Sequence, residues 1–307
     1  MGKTVLFFPG QASQYVGMGK DLYEHSAEVR DLYKLAADVM SYDIAKLSFE
    51  GPAEELKKTR FTQPAILLHS LSILKIIGAK LPAFDFAAGH SLGEYGALAV
   101  TGAMTFEQAI KAVVRRAALM EEACVAHPGT MAAIMGLDAA KTEDICKRAS
   151  SAGIVIPANY NSNIQIAISG EIIGVEKAIE LAIEAKAKRA IKLEVGGAFH
   201  SPLMEPAKAG LEEFLANQQY KDPVHPVIAN VTAQPVSVAG AIRSLLVDQV
   251  TSPVRWAQTM KYLVDQGVTS VIEIGPGKVL SGLAKRDMKP DKIVNLDTLS
   301  DISTYSN

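Results

Sequence analysis

The stretch "FAAGHSLGEYGALA", residues 86–99, decides how this sequence is read. Ser91 stands between Gly89 and Gly93 in a G-x-S-x-G pattern. An apolar run that includes Phe84, Phe86, Ala87 and Ala88 precedes it, and a segment rich in Ala and Gly follows. That order predicts a buried strand, a sharp turn and a helix, the elbow that lifts a serine Oγ to the top of a sheet. Glycines on both sides allow the turn and a close approach of strand to helix. The N-terminus of the following helix aims N–H groups at the serine, which favours an oxyanion beside it. The competing reading is an ordinary glycine-rich turn, since short glycine-flanked serines also arise by chance.

Outward from this point, strands and helices alternate. "KTVLFFPG" reads as a first buried strand and a loop. Residues 18–39 carry apolar residues at helical spacing. "TQPAILLHSLSILKIIGAKL" predicts a buried helix opening at Thr62 and Pro64. Thr105 is the expected N-cap of the helix "TFEQAIKAVVRRAALMEEAC". The alternation argues for an α/β fold with a mainly parallel sheet. After "AHPGT" the order becomes β-α-β-β-α-β, a ferredoxin-like split unit. The domain reading is therefore a large subdomain over residues 1–126 and 195–307, interrupted by a small one over 127–194. The tail "SDISTYSN" reads as polar and loose.

Composition narrows the function. A chain of 307 residues is long for one simple core, which fits a domain with an insertion. Half the residues are apolar and the formal charge is -2, so there is no electrostatic footprint for nucleic acid. The two cysteines, Cys124 and Cys146, have no CxxC spacing, which argues against a disulfide framework or zinc site and fits a reducing compartment. No stretch reads as long enough to span a bilayer, and "VLFF" is too short for a signal peptide, so the expectation is a cytoplasmic protein.

A serine nucleophile needs a base. Of six histidines, His25 reads as solvated, His69 as a core residue, and His127 and His225 as loop residues before prolines. His90 adjoins Ser91, but neighbours in such a turn are expected to point apart. His200, in the glycine-led loop "GGAFHSPLMEPA", remains as the candidate base. No acidic third member is evident. "GPGKVLSG" lacks the spacing of a phosphate loop, and Gly17-Met18-Gly19 lacks the third glycine of a dinucleotide fingerprint.

Taken together, "FFPGQASQYVGMG", "TQPA", "GHSLGEYGALA", "RRAALMEEA", "MAAIMGL", "NYNSNIQIAISG", "GAFHSPLMEPA", "VDQVTSPVRW" and "EIGPGKVLSGL" resemble one family along the whole chain. It is that of the malonyl-CoA:acyl-carrier-protein transacylases and the acyltransferase domains of fatty acid and polyketide synthases. The resemblance implies an α/β-hydrolase-like large subdomain with an inserted ferredoxin-like small one. It implies that Ser91 takes a malonyl group from malonyl-CoA and passes it to the phosphopantetheine thiol of acyl carrier protein, with His200 as base and then acid. The backbone carbonyl of Gln249 would orient His200, and the N–H groups of Gln11 and Leu92 would form the oxyanion hole. Arg116 would bind the malonyl carboxylate, since its planar fork suits that anion. Phe199 would crowd out an α-methyl branch, and Gln63, Asn159 and Asn161 would line the substrate site. Lys188, Arg189, Lys285 and Arg286 are candidates to face the carrier or the coenzyme A phosphates, with solvated surface as the other reading. No cofactor or metal is implied, because coenzyme A enters as part of a substrate. The alternatives are a discrete acyltransferase serving a polyketide synthase, a serine hydrolase, or a non-catalytic carrier-binding module. One departure stands in the first loop: Ala12 occupies a place where the family usually has glycine. If that position needs a positive φ, alanine strains the loop carrying the Gln11 N–H; the expectation is that the loop tolerates it.

Overall fold

The computed structural model describes residues 2–306. Strand β1 (Lys3–Phe8) is buried along Val5, Leu6, Phe7 and Phe8, as its unbroken apolar run requires of a central strand. Residues 18–39 form two helices rather than one: a short helix, Lys20–His25, and then α1 (Ala27–Met40). The break is Ser26, in extended conformation, whose side chain caps α1 by accepting from the Val29 N–H. Helix α2 (Thr59–Ile77) begins three residues before Thr62, so Pro64 lies inside it. A 22-residue segment, Thr59–Lys80, does have the length and composition to cross a membrane, against the sequence reading; 83% of its window is buried, which makes it a core helix.

Strand β2 (Phe86–Gly89) leads through the serine turn into helix α3 (Gly93–Val100). Helix α4 (Phe106–Ala126) is capped by Thr105 in a full capping box with Gln108. Then come β3 (Thr130–Met135), α5 (Ala139–Ala149), β4 (Val155–Ser162), β5 (Gln165–Gly170), α6 (Ile172–Glu184) and β6 (Arg189–Lys192). The chain returns through α7 (Glu205–Ala216), β7 (Val227–Ile228), β8 (Pro235–Val236), α8 (Ile242–Gln249), α9 (Trp256–Asp265), β9 (Val268–Ile274), α10 (Val279–Asp287) and β10 (Lys292–Leu296). The tail is helical, α11 (Leu299–Ser306), and Ile302 is buried. Leu299 and Tyr305 pack beside it, an apolar anchor that the polar composition hid.

Two sheets result. The first runs β10-β9-β1-β2-β7-β8, parallel except for the β7–β8 pair. The second runs β4-β5-β3-β6, antiparallel throughout, with α5 and α6 packed on it in the ferredoxin-like order. In the first sheet β1 has β2 on one side and β9 on the other, so chain order reverses at β1. Ligands of open α/β sheets bind outside the carboxyl ends of the strands at such a switch point. The β1–β2 register pairs Phe8 with Gly89, so the loops after both strands emerge side by side. The second sheet is tied over this end by β4: Tyr160 N–H donates to Val254 O (2.9 Å), and Val254 N–H to Ala158 O (2.8 Å).

Candidate active site

The serine turn is as tight as its glycines allow. A Cβ on Gly89 would lie 2.0 Å from the Gly93 backbone, and one on Gly93 2.1 Å from the Phe8 carbonyl oxygen. Ser91 itself has φ 52, a left-handed conformation costly for a side-chain-bearing residue. Asn230, just after β7, holds that conformation. Its Oδ1 accepts from the Ser91 N–H (2.7 Å), and its Nδ2 donates to Gly89 O (2.7 Å). Asn230 was not singled out in the sequence, and no local pattern marks it.

Ser91 Oγ lies 2.9 Å from His200 Nε2, and His200 Nδ1 lies 2.8 Å from the carbonyl oxygen of Gln249. With the proton on Nδ1 donated to that carbonyl, Nε2 is left to accept from the serine hydroxyl. Gln249 is the last residue of α8, where helix carbonyls lack an intrahelical partner, so its oxygen is free for this role. Burial lowers the His200 pKa to about 3, reinforced by the positive charge of Arg116 and opposed by the Gln249 carbonyl. The imidazole is therefore neutral, as a base must be, and a carbonyl stands where a serine triad has a carboxylate.

The N–H groups of Gln11 and Leu92 sit at the ends of the two adjacent loops, and both residues line the cleft. Neither N–H meets a protein acceptor among the described residues. Ala12 does adopt a positive φ, 79°. The loop is held nonetheless: the Ala12 N–H donates to Gln14 Oε1 (2.9 Å) and Ser13 Oγ to Gly10 O (2.7 Å). The left-handed conformation costs an L-residue about 1–2 kcal/mol, which two such hydrogen bonds offset.

Arg116 is 1% exposed and lies just behind the lining residues. Helix α4 turns it inward while Arg115 faces solvent. Its Nη1 donates to Gln63 Oε1 (2.5 Å); its Nη2 donates to Ser91 Oγ (2.9 Å) and Gln249 Oε1 (3.0 Å). Its Nε is buried without a partner. Thus a cation reaches the nucleophile, held only by neutral oxygens. The Gln249 amide is fully used, since its Nε2 also donates to Ser91 O (3.0 Å) and Glu94 Oε2 (2.6 Å). Glu94, 3% exposed on α3, was read in the sequence only as part of the motif. Its carboxyl is pushed up to about 7 by burial, with hydrogen bonds from Gln249 and the Asn230 N–H and the charge of Arg116 pulling the other way.

The cleft has a volume of about 260 Å³. Phe199, Asn159, Asn161 and Gln63 all line it. Asn161 Oδ1 pairs with His90 Nε2 at 2.8 Å. His90 lines the same cleft as Ser91, but its Nε2 turns to Asn161 while Ser91 Oγ meets His200 and Arg116. His69, by contrast, is a core residue, with Nε2 3.1 Å from Asp297 Oδ1. Of the four basic candidates, Lys188, Arg189 and Arg286 gather at one depression with Gln165, which also lines the cleft; Lys285 is not part of it.

A serine hydroxyl against a neutral imidazole, with unpartnered backbone N–H groups on the same cleft, is an arrangement able to carry out acyl transfer. Comparison with known proteins agrees. The acyl transferase domain family matches residues 5–299. A curated malonyl CoA-acyl carrier protein transacylase of Bacillus subtilis is 45% identical over 287 residues, 93% of this chain and 90% of its own length. The crystal structure of an acyl carrier protein S-malonyltransferase from Vibrio cholerae superposes with a TM-score of 0.92 at 40% identity, covering 98% of this chain and 99% of that one. A malonyl-transacylase solved in complex with its type II PKS acyl-carrier protein gives 0.93, also at 40% identity, with 99% and 98% covered. This chain is an acyltransferase and belongs to the acyl transferase domain family.

Proposed function

We propose that this enzyme moves a malonyl group from malonyl-CoA to the phosphopantetheine thiol of acyl carrier protein, supplying extender units for fatty acid synthesis. Ser91 Oγ attacks the thioester carbonyl while His200 Nε2 takes its proton. The oxyanion forms against the N–H groups of Gln11 and Leu92. The C–S bond then breaks, and His200 returns the proton to the coenzyme A thiolate. In the second half His200 takes the proton of the carrier thiol, whose sulfur attacks the malonyl ester; the ester C–O bond breaks, and His200 returns the proton to Ser91 Oγ. No cofactor enters this scheme. Residues 127–194 serve as the small subdomain that roofs the cleft, against a large subdomain of 1–126 and 195–307. Lys188, Arg189 and Arg286 at the cleft edge suit an acidic carrier or the coenzyme A phosphates. The chemistry fits the cytoplasm, where the thioester and carrier would meet it.

One observation carries the malonyl assignment: a buried arginine whose Nη2 reaches the nucleophile. A carboxylate two bonds beyond the acyl carbon falls within reach of that guanidinium and supplies the anionic partner it lacks. A hydrolase of neutral esters has no use for this cation. The test is intact-mass measurement after mixing with malonyl-CoA or acetyl-CoA, before and after adding holo carrier protein. The wild type should form a malonyl adduct that the carrier clears and water does not. Ser91→Ala should form none. Arg116→Ala should load malonyl about 30-fold or more slowly while acetyl loading holds. A parallel fall for both acyl groups, or clearance by water alone, would overturn the assignment.

A further inference from the structure

We infer that Glu94 is a positioning residue for acyl-group selection: through the side-chain amide of Gln249 it holds Arg116 in line with Ser91. This rests on the proposed function and names a part of the site that it leaves unassigned.

The argument begins with the amide. A glutamine side chain has one accepting end and one donating end, and the two are nearly isosteric. At Gln249 the ends face opposite demands. Oε1 meets the Arg116 Nη2 donor, and Nε2 meets two acceptors, Ser91 O and Glu94 Oε2. Turned over, the NH2 would face a guanidinium and the oxygen would face a carboxyl and a carbonyl. The 2.6 Å bond to Glu94 is the shortest of the three. Glu94 is itself fixed, on a helix that starts from the serine turn and by the Asn230 N–H at 3.2 Å. Every link is buried: Gln249 0%, Arg116 1%, Asn230 1% and Glu94 3% exposed. With both ends of the buried amide matched, Gln249 is held in one orientation.

Glu94 has no contact with the cleft and does not touch Ser91 Oγ or His200, so it acts only through others. It is also the carboxyl that acts on the Arg116 charge from within the protein. A second negative group, the malonyl carboxylate, would approach the same guanidinium from the cleft side. The amide of Gln249 separates the two, so Glu94 can orient the clamp without occupying it. The role does not depend on ionisation, since the Glu94 Oε2 accepts in either state when the proton sits on Oε1.

The test is kcat/KM for malonyl-CoA and acetyl-CoA on the wild type, Glu94→Gln, Glu94→Asp and Glu94→Ala. Ser91 labelling by phenylmethanesulfonyl fluoride, a neutral serine reagent, reads the serine and histidine with no acyl carboxylate for Arg116 to bind. Glu94→Gln keeps an accepting oxygen and should stay near the wild type. Glu94→Asp withdraws the carboxyl by one methylene, and Glu94→Ala removes it. Both should lose about tenfold or more in malonyl kcat/KM, mostly through KM. Acetyl transfer and labelling should change little. A parallel loss of malonyl transfer, acetyl transfer and labelling in Glu94→Asp would make Glu94 a support of the serine turn and overturn the inference. So would wild-type discrimination in Glu94→Ala, or failure of Glu94→Gln to restore it. A wild type that does not favour malonyl-CoA would instead overturn the function of Arg116 proposed above, and this role with it.

Discussion

At Gln249 two functions meet in one residue. Its carbonyl pairs with His200 Nδ1, the contact the family resemblance implied, and its side chain also holds Arg116 and Glu94. A reading in which only the carbonyl matters would leave Gln249→Ala nearly intact. The structure predicts otherwise. Removing the amide leaves a buried guanidinium short of an acceptor and a buried carboxyl short of a donor, each worth about 1–3 kcal/mol. Malonyl kcat/KM should therefore fall roughly 10- to 100-fold. Labelling of Ser91 by a neutral reagent should persist, because the carbonyl and His200 remain. Loss of labelling equal to the loss of transfer would show that the side chain supports the base as well. Arg116 teaches a related point. Its guanidinium has three oxygen partners within the protein, so a neutral acyl group does not leave it bare. The proposed selection would then come from what the carboxylate adds rather than from a penalty on acetyl.

At the scale of elements, the serine turn depends on how closely α3 can approach β1. The apolar run of β2, the glycines and the small residues of α3 were all legible, because strand burial and tight turns follow from local residue type. Gly93 is the contact point. Its added Cβ would meet the Phe8 and Pro9 carbonyl oxygens at 2.1 and 2.9 Å, backbone atoms of a central strand and its loop that cannot swing aside. Gly93→Ala should destabilise the fold by roughly 3 kcal/mol, the upper range for overpacking, and abolish Ser91 labelling. Denaturant titration checks the first effect; an unchanged midpoint would mean that the helix slides without cost. Elements were misread where a polar side chain decided a boundary. Ser26 splits the first helical run by capping, and Ile302 and Tyr305 pin a tail that is otherwise polar.

For the whole molecule, burying Glu94 and His200 under one roof makes two opposed contributions to how stability varies with pH. The folded pKa of Glu94 is raised from 4.5 to about 7. Folding therefore favours its protonated form, and its contribution declines as pH rises from about 4.5 to 7. His200 acts in the opposite sense. Its folded pKa is depressed from 6.5 to about 3, so stability is lost as pH falls below 6.5. Comparing Glu94→Gln with the wild type cancels the histidine. The variant should gain on the wild type by roughly 3 kcal/mol between pH 4.5 and 7 and hold that gain above it. A difference in unfolding free energy that is flat with pH would show that Glu94 is not buried as a carboxyl. Much of the architecture was already determined by sequence: the mainly parallel sheet, the β-α-β-β-α-β insertion, the serine elbow and the N-cap at Thr105. Each follows from backbone geometry repeating every two or 3.6 residues, or from a turn only certain residues can make. The partners of the nucleophile were decided by tertiary structure. Glu94, Arg116, Asn230 and Gln249 lie far apart along the chain and carry no shared period. They meet because the strand order brings the ends of β1, β2 and β7 together beside α8 and α4. Burial there removes water as a competing partner, so each polar group must bond to another, and which ones do so depends on topology rather than on any local pattern.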